Sequence, residues 1–214
     1  MKKRTKILLI ILGVIAAIVA GNIVYGALLP KIESKPGKFI YNGAEYDAIN
    51  SFRVKRTGFA VGKLDTTGER VYKAKGDEGG YFLYIQNKPF TMNRTPLART
   101  DAPEKYVSGI TTIMIQSPEY YGVDEEKAST TDTLVLSEFA DALFETEGLI
   151  RAGSNDKSYR FEALSKDFVD ISMGMTVIKH AGRYYVLNLS DMTATLYAPL
   201  GENASAWLND MLNG

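Results

Sequence analysis

The stretch KFIYNGAEYDA, residues 38–48, carries the clearest signal of the fold. Asn42-Gly43 lies at its centre, and this dipeptide readily accepts the positive φ angles of a tight hairpin turn. Before the turn, Phe39 and Tyr41 are two residues apart, so their side chains share one face of a strand. The stretch therefore predicts an antiparallel β-hairpin.

Further strand-like segments follow this hairpin, separated by short turns. They are GFAVGKL (58–64), RVYKAKG (70–76), the pair YFLYIQNKPFTM (81–92), YVSGITTIMIQS (106–117), SYRFEAL (158–164), DISMGMTVIKH (170–180), RYYVLNL (183–189) and TATLYAP (193–199). Because most of them come as hairpins, we expect a mainly antiparallel sheet.

Two short helices are expected among these strands. One lies in LSEFADALFETEG, 136–148, with Ser137 as N-cap and Gly148 as the stop. The other lies in ENASAWLNDMLN, 202–213, and would pack Trp207, Leu208 and Met211 inward.

An apolar segment, Ile7–Leu29, precedes the first hairpin. Its 23 residues include one strongly polar side chain, Asn22, and as a helix they would extend roughly 34 Å, enough to cross a bilayer. A cleaved secretory signal with its cut after Gly21 is the alternative, but the apolar residues that continue to Leu29 favour a retained anchor. The sequence thus predicts an α+β fold, a mainly antiparallel sheet of hairpins with two short helices, behind an N-terminal transmembrane helix.

The charges before this segment indicate its orientation. Four basic residues and no acidic residue precede it: Lys2, Lys3, Arg4 and Lys6. Such a cluster favours the cytoplasmic side of a membrane. We therefore expect a cytoplasmic tail (1–6), a transmembrane anchor (7–29), a spacer (30–38) and an extracytoplasmic domain (39–214), with a possible internal boundary at 93–105.

Charge is unevenly distributed along the domain. Residues 30–100 hold 13 Lys and Arg against 7 Asp and Glu, a net charge of +6, whereas residues 101–214 hold 8 against 18, a net charge of −10. Two interpretations are open. Either the two parts interleave in one fold and their charges cancel, or a basic side faces anionic lipids or wall polymers and an acidic side faces outward.

The inventory of reactive side chains is small. With no cysteine and one histidine, His180, the chain cannot form disulfides, thiolate metal sites or zinc sites with several His ligands, and no GxSxG stretch supports a Ser-His-Asp triad. Acidic groups such as 124–126, or Asp167 with Asp170, are the remaining route to hydrolysis by paired carboxylates. We expect no cofactor and no metal. The acidic C-terminal part argues against a nucleic-acid partner.

The segment Glu119–Glu126 is the strongest candidate for a binding surface. It follows Pro118 in a connection and joins two tyrosines, Tyr120 and Tyr121, to four carboxylates. Tyrosine is favoured in interfaces, and carboxylates complement a basic partner. The predicted partner-binding residues are Glu119, Tyr120, Tyr121, Asp124, Glu125 and Glu126. The alternative is an ordinary acidic loop whose tyrosines pack back onto the sheet.

An anchor followed by a tyrosine-rich domain without cysteine is similar to uncharacterised single-pass surface proteins of Gram-positive bacteria, a resemblance of composition that implies no particular partner. We expect a membrane-anchored binding protein that does no chemistry, for example an immunity protein against a secreted toxin or an accessory subunit of an envelope machine. A cell-envelope hydrolase with paired carboxylates is the alternative.

Overall fold

The computed structural model describes residues 3–86, 94–190 and 195–213. Its helices are α1 (Lys3–Leu28), α2 (Ala102–Val107), α3 (Pro118–Tyr121), α4 (Thr133–Ala142) and α5 (Glu202–Asn213), with a 3₁₀ turn at Glu125–Lys127.

Its strands form two sheets. They are β1 (Lys31–Lys35), β2 (Lys38–Tyr41), β3 (Ala44–Ala48), β4 (Phe52–Val54), β5 (Thr57–Leu64), β6 (Arg70–Ala74), β7 (Phe82–Gln86), β8 (Arg94–Arg99), β9 (Ile110–Ile115), β10 (Ser129–Thr130), β11 (Ile150–Arg151), β12 (Lys157–Ser165), β13 (Ile171–His180), β14 (Arg183–Leu187) and β15 (Leu196–Pro199). The α+β class and the mainly antiparallel pairing are as the sequence predicts.

The first sheet is a closed barrel with strand order β1-β2-β3-β8-β7-β6-β5. A parallel pair, β1 with β5, closes it, and every other pair is antiparallel. The predicted turn lies between β2 and β3, with φ of 51° at Asn42 and 79° at Gly43. The barrel interior holds side chains that alternate along the strands: Ile32, Tyr46, Leu64, Val71, Leu83, Ile85 and Leu97.

This closure corrects the expectation of a sheet built from hairpins alone. The closing strand β1 lies in the segment predicted to be a spacer, and Ile32 is 1% exposed because its side chain fills the barrel. Pairing of β1 with β5 joins residues about thirty positions apart. Hairpin patterns report only neighbouring strands, so they could not indicate this contact.

The second sheet has eight strands in the order β10-β9-β12-β13-β14-β15-β11, with β4 beside one end of β13. Helices α4 and α5 pack together, and Phe139 of α4 and Trp207 of α5 lie with Phe161 of β12 in one aromatic group. The sheet and these helices therefore bury a common core.

That core continues onto the outer face of the barrel. Phe82 of β7 points out of the barrel and packs against Phe52 and Phe168, with ring centroids 4.9 and 5.2 Å apart. Tyr106 of α2 lies against the same rings. Its hydroxyl donates to the carbonyls of Ala163 (2.7 Å) and Ile171 (3.0 Å), and burial raises its pKa. The barrel and the second sheet thus share buried aromatic surface across the predicted boundary at 93–105, which contains β8 and the start of α2.

The predicted helices need correction in number and position. Behind α1 the described residues contain four helices instead of two. Helix α4 begins at Thr133 instead of near Ser137, because the Asp132 carboxylate accepts from the backbone N–H of Leu134 (2.8 Å) and so caps the first turn. The Ser137 hydroxyl instead donates to the Leu134 carbonyl inside the helix.

The C-terminal end of α4 also differs from the prediction. The helix ends at Ala142, and the buried Asn188 amide donates to the carbonyls of Ala142 and Glu145. Gly148 occupies a later turn with φ of 65°. The second half of the strand pair predicted at 81–92 and the first two residues of the strand predicted at 193–199 lie outside the described residues.

The N-terminal helix matches the predicted apolar segment. Its stretch Ile10–Leu28 has a mean hydropathy of 2.2, contributes nothing to the protein core, and is long and apolar enough to cross a membrane. The charge asymmetry also follows the architecture. All barrel strands lie within the basic part of the chain, and the second sheet, apart from β4, lies within the acidic part. The two charges are therefore carried by different sheets.

Candidate binding surface

The segment predicted to bind a partner connects β9 to β10 and has a defined backbone. Ser117 (φ 53°) turns the chain into α3, and Gly122 (φ 68°) turns it out again. The N–H of Val123 then donates to the Pro118 carbonyl at 3.0 Å, and the Val123 side chain is buried. The left-handed turn at each end and the buried valine hold this loop on the sheet.

The two tyrosines of the loop have different environments. Tyr121 is half-buried, with its ring centroid 5.5 Å from that of Tyr159, and its hydroxyl accepts from the N–H of Arg160 at 3.3 Å. Tyr120 is 81% exposed, with its ring edge-on to Tyr121 at 5.0 Å. Tyr121 thus packs against the sheet and supports Tyr120, which presents an aromatic surface to solvent.

A hollow of about 630 Å³ lies beside Tyr120. Its lining residues are Gln116, Ser117, Glu119, Tyr120, Tyr121, Ser158 and Arg160. Arg160 adds a cation that no sequence pattern indicated. Within the described part of the chain no carboxylate lies within 4.0 Å of its guanidinium. The register between β9 and β12 brings Arg160 beside the loop, because the Gln116 N–H at the end of β9 donates to the Arg160 carbonyl at 2.8 Å.

The carboxylates of the loop lie around this hollow and beyond it. Glu119 lines the hollow. Asp124 precedes the 3₁₀ turn and Glu125 and Glu126 begin it, and all three are exposed. Lys127, the next residue, forms an ion pair with Asp210 of α5 at 3.4 Å. The surface therefore combines an exposed aromatic ring, one guanidinium and four exposed carboxylates.

A second cavity, of about 420 Å³, lies where the barrel meets the second sheet. The β3–β4 connection lines one side, and Gly174–Thr176 of β13 with 187–189 line another. Among the described residues, its charged lining residues are Arg53 and Arg160, and no Asp or Glu lines it. Neither this cavity nor the hollow beside Tyr120 brings together, from the part of the chain that the structure describes, the two facing carboxylates that the hydrolase alternative requires.

The other carboxylate pair considered from the sequence is also divided between separate contacts. Asp170 forms an ion pair with Arg56 at 3.4 Å. The Asp167 carboxylate packs closely against Gly109, at a point where a β-carbon would lie 2.5 Å from it.

His180 lies at the end of β13 and contacts a carboxylate. Its Nδ1 is 3.0 and 3.1 Å from the two carboxylate oxygens of Asp156. Asp156 also accepts from the N–H of Gly153 at 2.6 Å, and this bond, followed by the contact with His180, lowers the pKa of Asp156. In the described residues the imidazole has no other side-chain hydrogen-bond partner, so the pair joins the 153–156 turn to β13.

Among the described residues, no group of three His, Asp or Glu side chains is arranged to hold a metal ion. Comparison with models of protein families, with curated proteins and with solved structures finds no match for this chain.

Proposed function

We propose that this chain is a single-pass membrane protein whose barrel and second sheet lie outside the cytoplasm, and that it binds a protein partner through the loop Glu119–Glu126. The exposure of Tyr120 carries the proposal. An aromatic ring that is 81% exposed on a rigid support offers contact area at a small cost in conformational entropy.

The surroundings of Tyr120 indicate the chemistry of the partner. The carboxylates around it favour a basic patch, while Arg160 in the hollow offers a donor for one carboxylate or carbonyl of the partner. Charges at the rim of an interface accelerate encounter, whereas a central aromatic side chain contributes most to affinity. Tyr120 therefore serves as the anchor and Asp124, Glu125 and Glu126 serve to steer the partner.

The architecture supports exposure of this surface at a membrane. Helix α1 contacts the barrel, through Tyr25, Lys63 and Arg70, whereas the loop belongs to the second sheet. A protein that captures a secreted toxin, or one that joins an envelope machine, requires an anchor and a complementary surface. The proposed activity needs no catalytic residue of this chain.

The test is co-purification of partners with the full-length chain from its own membranes, followed by affinity measurements on the captured protein. Tyr120→Ala should weaken binding by on the order of 1 to 4 kcal/mol, the range of interface anchors. Val169→Ala is the matched control, because Val169 is also a largely exposed apolar side chain, at 76%, in the turn between β12 and β13. Equal affinity of the wild type and the Tyr120→Ala variant would place the binding site elsewhere.

The carboxylates should affect the rate of association and not mainly the affinity. Replacing Asp124, Glu125 and Glu126 by their amides should mainly slow association and flatten its dependence on salt. A change confined to the dissociation rate would contradict the steering role.

A further inference from the structure

One flank of the barrel lies against the last two turns of α1. The Tyr25 hydroxyl donates to the Ala60 carbonyl at 2.8 Å. Lys63 donates from Nζ to the carbonyls of Gly26 and Ala27, both at 3.3 Å, and Arg70 donates to the Asn22 carbonyl at 3.2 Å. Lys63 of β5 thus lies at the negative end of the helix dipole, and Arg70 of β6 lies one turn further from that end.

The junction between α1 and the barrel is short and packed. Two residues separate α1 from β1, and the first of them, Leu29, is buried. The Lys63 N–H donates to the Pro30 carbonyl at 2.9 Å. A β-carbon at Gly62 would lie 2.6 Å from the Ile32 side chain, so only glycine at this position lets β5 lie this close to Ile32 of β1. The barrel therefore has a fixed position beside the end of α1.

Glycine also permits the contact higher on the helix. A β-carbon at Gly26 would lie 2.7 Å from the Arg70 guanidinium. Without a side chain at this position, Arg70 reaches past the last turn to Asn22. The arginine side chain therefore packs along the side of α1, next to its last two turns.

The position of these contacts along α1 sets the depth of the barrel flank. A hydrocarbon layer of about 30 Å takes about 20 helical residues, and Gly26 is the twentieth residue from Ile7. Tyr25 directly precedes Gly26, so Ala60, which contacts it, lies at the boundary between hydrocarbon and headgroups. Arg70 reaches about 6 Å further along the helix axis than Gly26, to Asn22.

The flank at this depth carries a row of cations. Lys31, Lys63 and Arg70 are directly paired across β1, β5 and β6, so their side chains share the outer face of the barrel. Like charges in direct cross-strand pairs destabilise a sheet. Within the described residues none of the three has a carboxylate within 4.0 Å. The helix carbonyls that Lys63 and Arg70 contact carry only partial negative charge, so an external anion would further stabilise this row.

An exposed aromatic side chain accompanies the cations. Phe59 immediately precedes Ala60, the residue that Tyr25 contacts, and it is 88% exposed, the largest value among the described large apolar side chains. Aromatic side chains beside basic residues are typical of protein surfaces that lie in the headgroup layer. Phe59 is thus an aromatic side chain suited to the headgroup layer of a membrane.

From these observations we infer that the β5–β6 flank of the barrel docks on the membrane surface and binds anionic phospholipid headgroups. Lys31, Lys63 and Arg70 bind the lipid phosphates, and Phe59 enters the layer between headgroups and acyl chains. This inference rests on the part of the proposed function that makes α1 a membrane span. In this arrangement the basic barrel lies against the membrane, and the acidic second sheet faces away from it and can bind partners.

The absence of cysteine allows a test with single fluorescent labels on the full-length chain. A Phe59→Cys variant carrying an NBD group is reconstituted in vesicles of phosphatidylcholine alone or with added phosphatidylglycerol. The label should show blue-shifted emission and quenching by lipids that carry a spin label near the headgroup, and both effects should increase with phosphatidylglycerol. A Leu134→Cys variant with the same label should show neither, because Leu134 is an exposed position on α4, which packs against α5 and β9 of the second sheet.

The cations are tested in the same vesicles. Lys63→Gln and Arg70→Gln should each lower the docking equilibrium constant by about fivefold, the effect of removing one cation near an anionic surface. Lys31→Gln, which changes no contact with α1, should have a similar effect. Trp207 fluorescence verifies that each variant is folded.

The possible results separate this inference from the proposed anchor. If the chain does not float with the vesicles, the anchor fails and the docking inference fails with it. If the chain floats but the label at position 59 remains in water, or enters the membrane equally without phosphatidylglycerol, the anchor stands and the docking inference is overturned.

Discussion

Replacing Leu83 by alanine tests whether the barrel and the second sheet unfold together. Leu83 is 1% exposed in the barrel interior, whereas its neighbour on β7, Phe82, packs into the core of the second sheet. Strand β7 is therefore buried on both faces. Because one strand belongs to both cores, loosening the barrel around Leu83 should also destabilise the second sheet.

The size of the effect follows from the burial of this side chain. Leu→Ala substitutions at fully buried positions cost about 2 to 5 kcal/mol of unfolding free energy. For a domain of this size, each kcal/mol shifts the melting temperature by about 2 to 4 °C. A loss of about 3 kcal/mol would thus lower the melting temperature by about 6 to 12 °C.

The assay uses Trp207, the single tryptophan of the chain, as a probe of the second sheet. Its ring lies 5.9 Å from that of Phe161 and 6.2 Å from that of Phe139. In the full-length protein in detergent, the Trp207 transition of Leu83→Ala should shift by the full amount and coincide with the loss of β-structure seen by circular dichroism. If the Trp207 transition stays at the wild-type temperature while part of the β signal melts earlier, the barrel unfolds independently and the reasoning is wrong.

Three other expectations can be checked separately. The Glu138 carboxylate accepts from the backbone N–H groups of Asn203 (3.2 Å) and Ala204 (2.7 Å) at the start of α5 and from the side-chain amide of Asn203 (2.6 Å). Burial raises the pKa of Glu138, but these three hydrogen bonds outweigh burial and lower the pKa below the usual 4.5. Glu138→Gln should therefore cost about 0.5 to 2 kcal/mol at neutral pH, and the difference from wild type in chemical denaturation should shrink as pH falls below about 4.5, because a lowered carboxyl pKa stabilises only the ionised folded state; a difference that is constant with pH would count against this cap. The intact mass of the protein from native membranes should show that the residues before position 21 are retained. A mass that corresponds to a chain starting at residue 22 would show that the segment is cleaved. His180→Ala should leave partner capture and biological activity unchanged, whereas lost activity with unaltered partner binding would require a catalytic role.

The sequence predicts the fold where the determining interactions are local. Asn42-Gly43 defines its hairpin because the turn needs only the φ angles of those two residues. The apolar α1 is equally clear, because composition alone decides whether a helix can enter a membrane. Closure of the barrel depends on the pairing of Lys31 with Lys63, which no local pattern reports.

The start of α4 shows a second limit. Ser137 and Asp132 are both acceptable N-caps in the sequence, and the buried positions of Val135 and Leu136 decide between them. A helix that began at Ser137 would leave these two apolar residues outside its first turn. Tertiary burial therefore selects the earlier cap.

The candidate site shows the same division. Composition identified the acidic, tyrosine-containing loop, but it could not distinguish Tyr120, which is exposed, from Tyr121, which packs against Tyr159. The distinction depends on which side of α3 faces the sheet. Arg160 joins the loop through the register of β9 and β12, and a single sequence without known strand pairing does not supply that register.

Site-specific photo-crosslinking from position 120 tests the proposed function most directly. A photoreactive amino acid replaces Tyr120 in the full-length chain in its own membranes, and the same amino acid at Leu134, an exposed apolar position on α4, serves as the control. We expect a discrete crosslinked protein from position 120, absent from the control and reduced by high salt because the surrounding carboxylates steer a basic partner. A partner that co-purifies with the chain but crosslinks equally from both positions, or from neither, would contradict the proposed function.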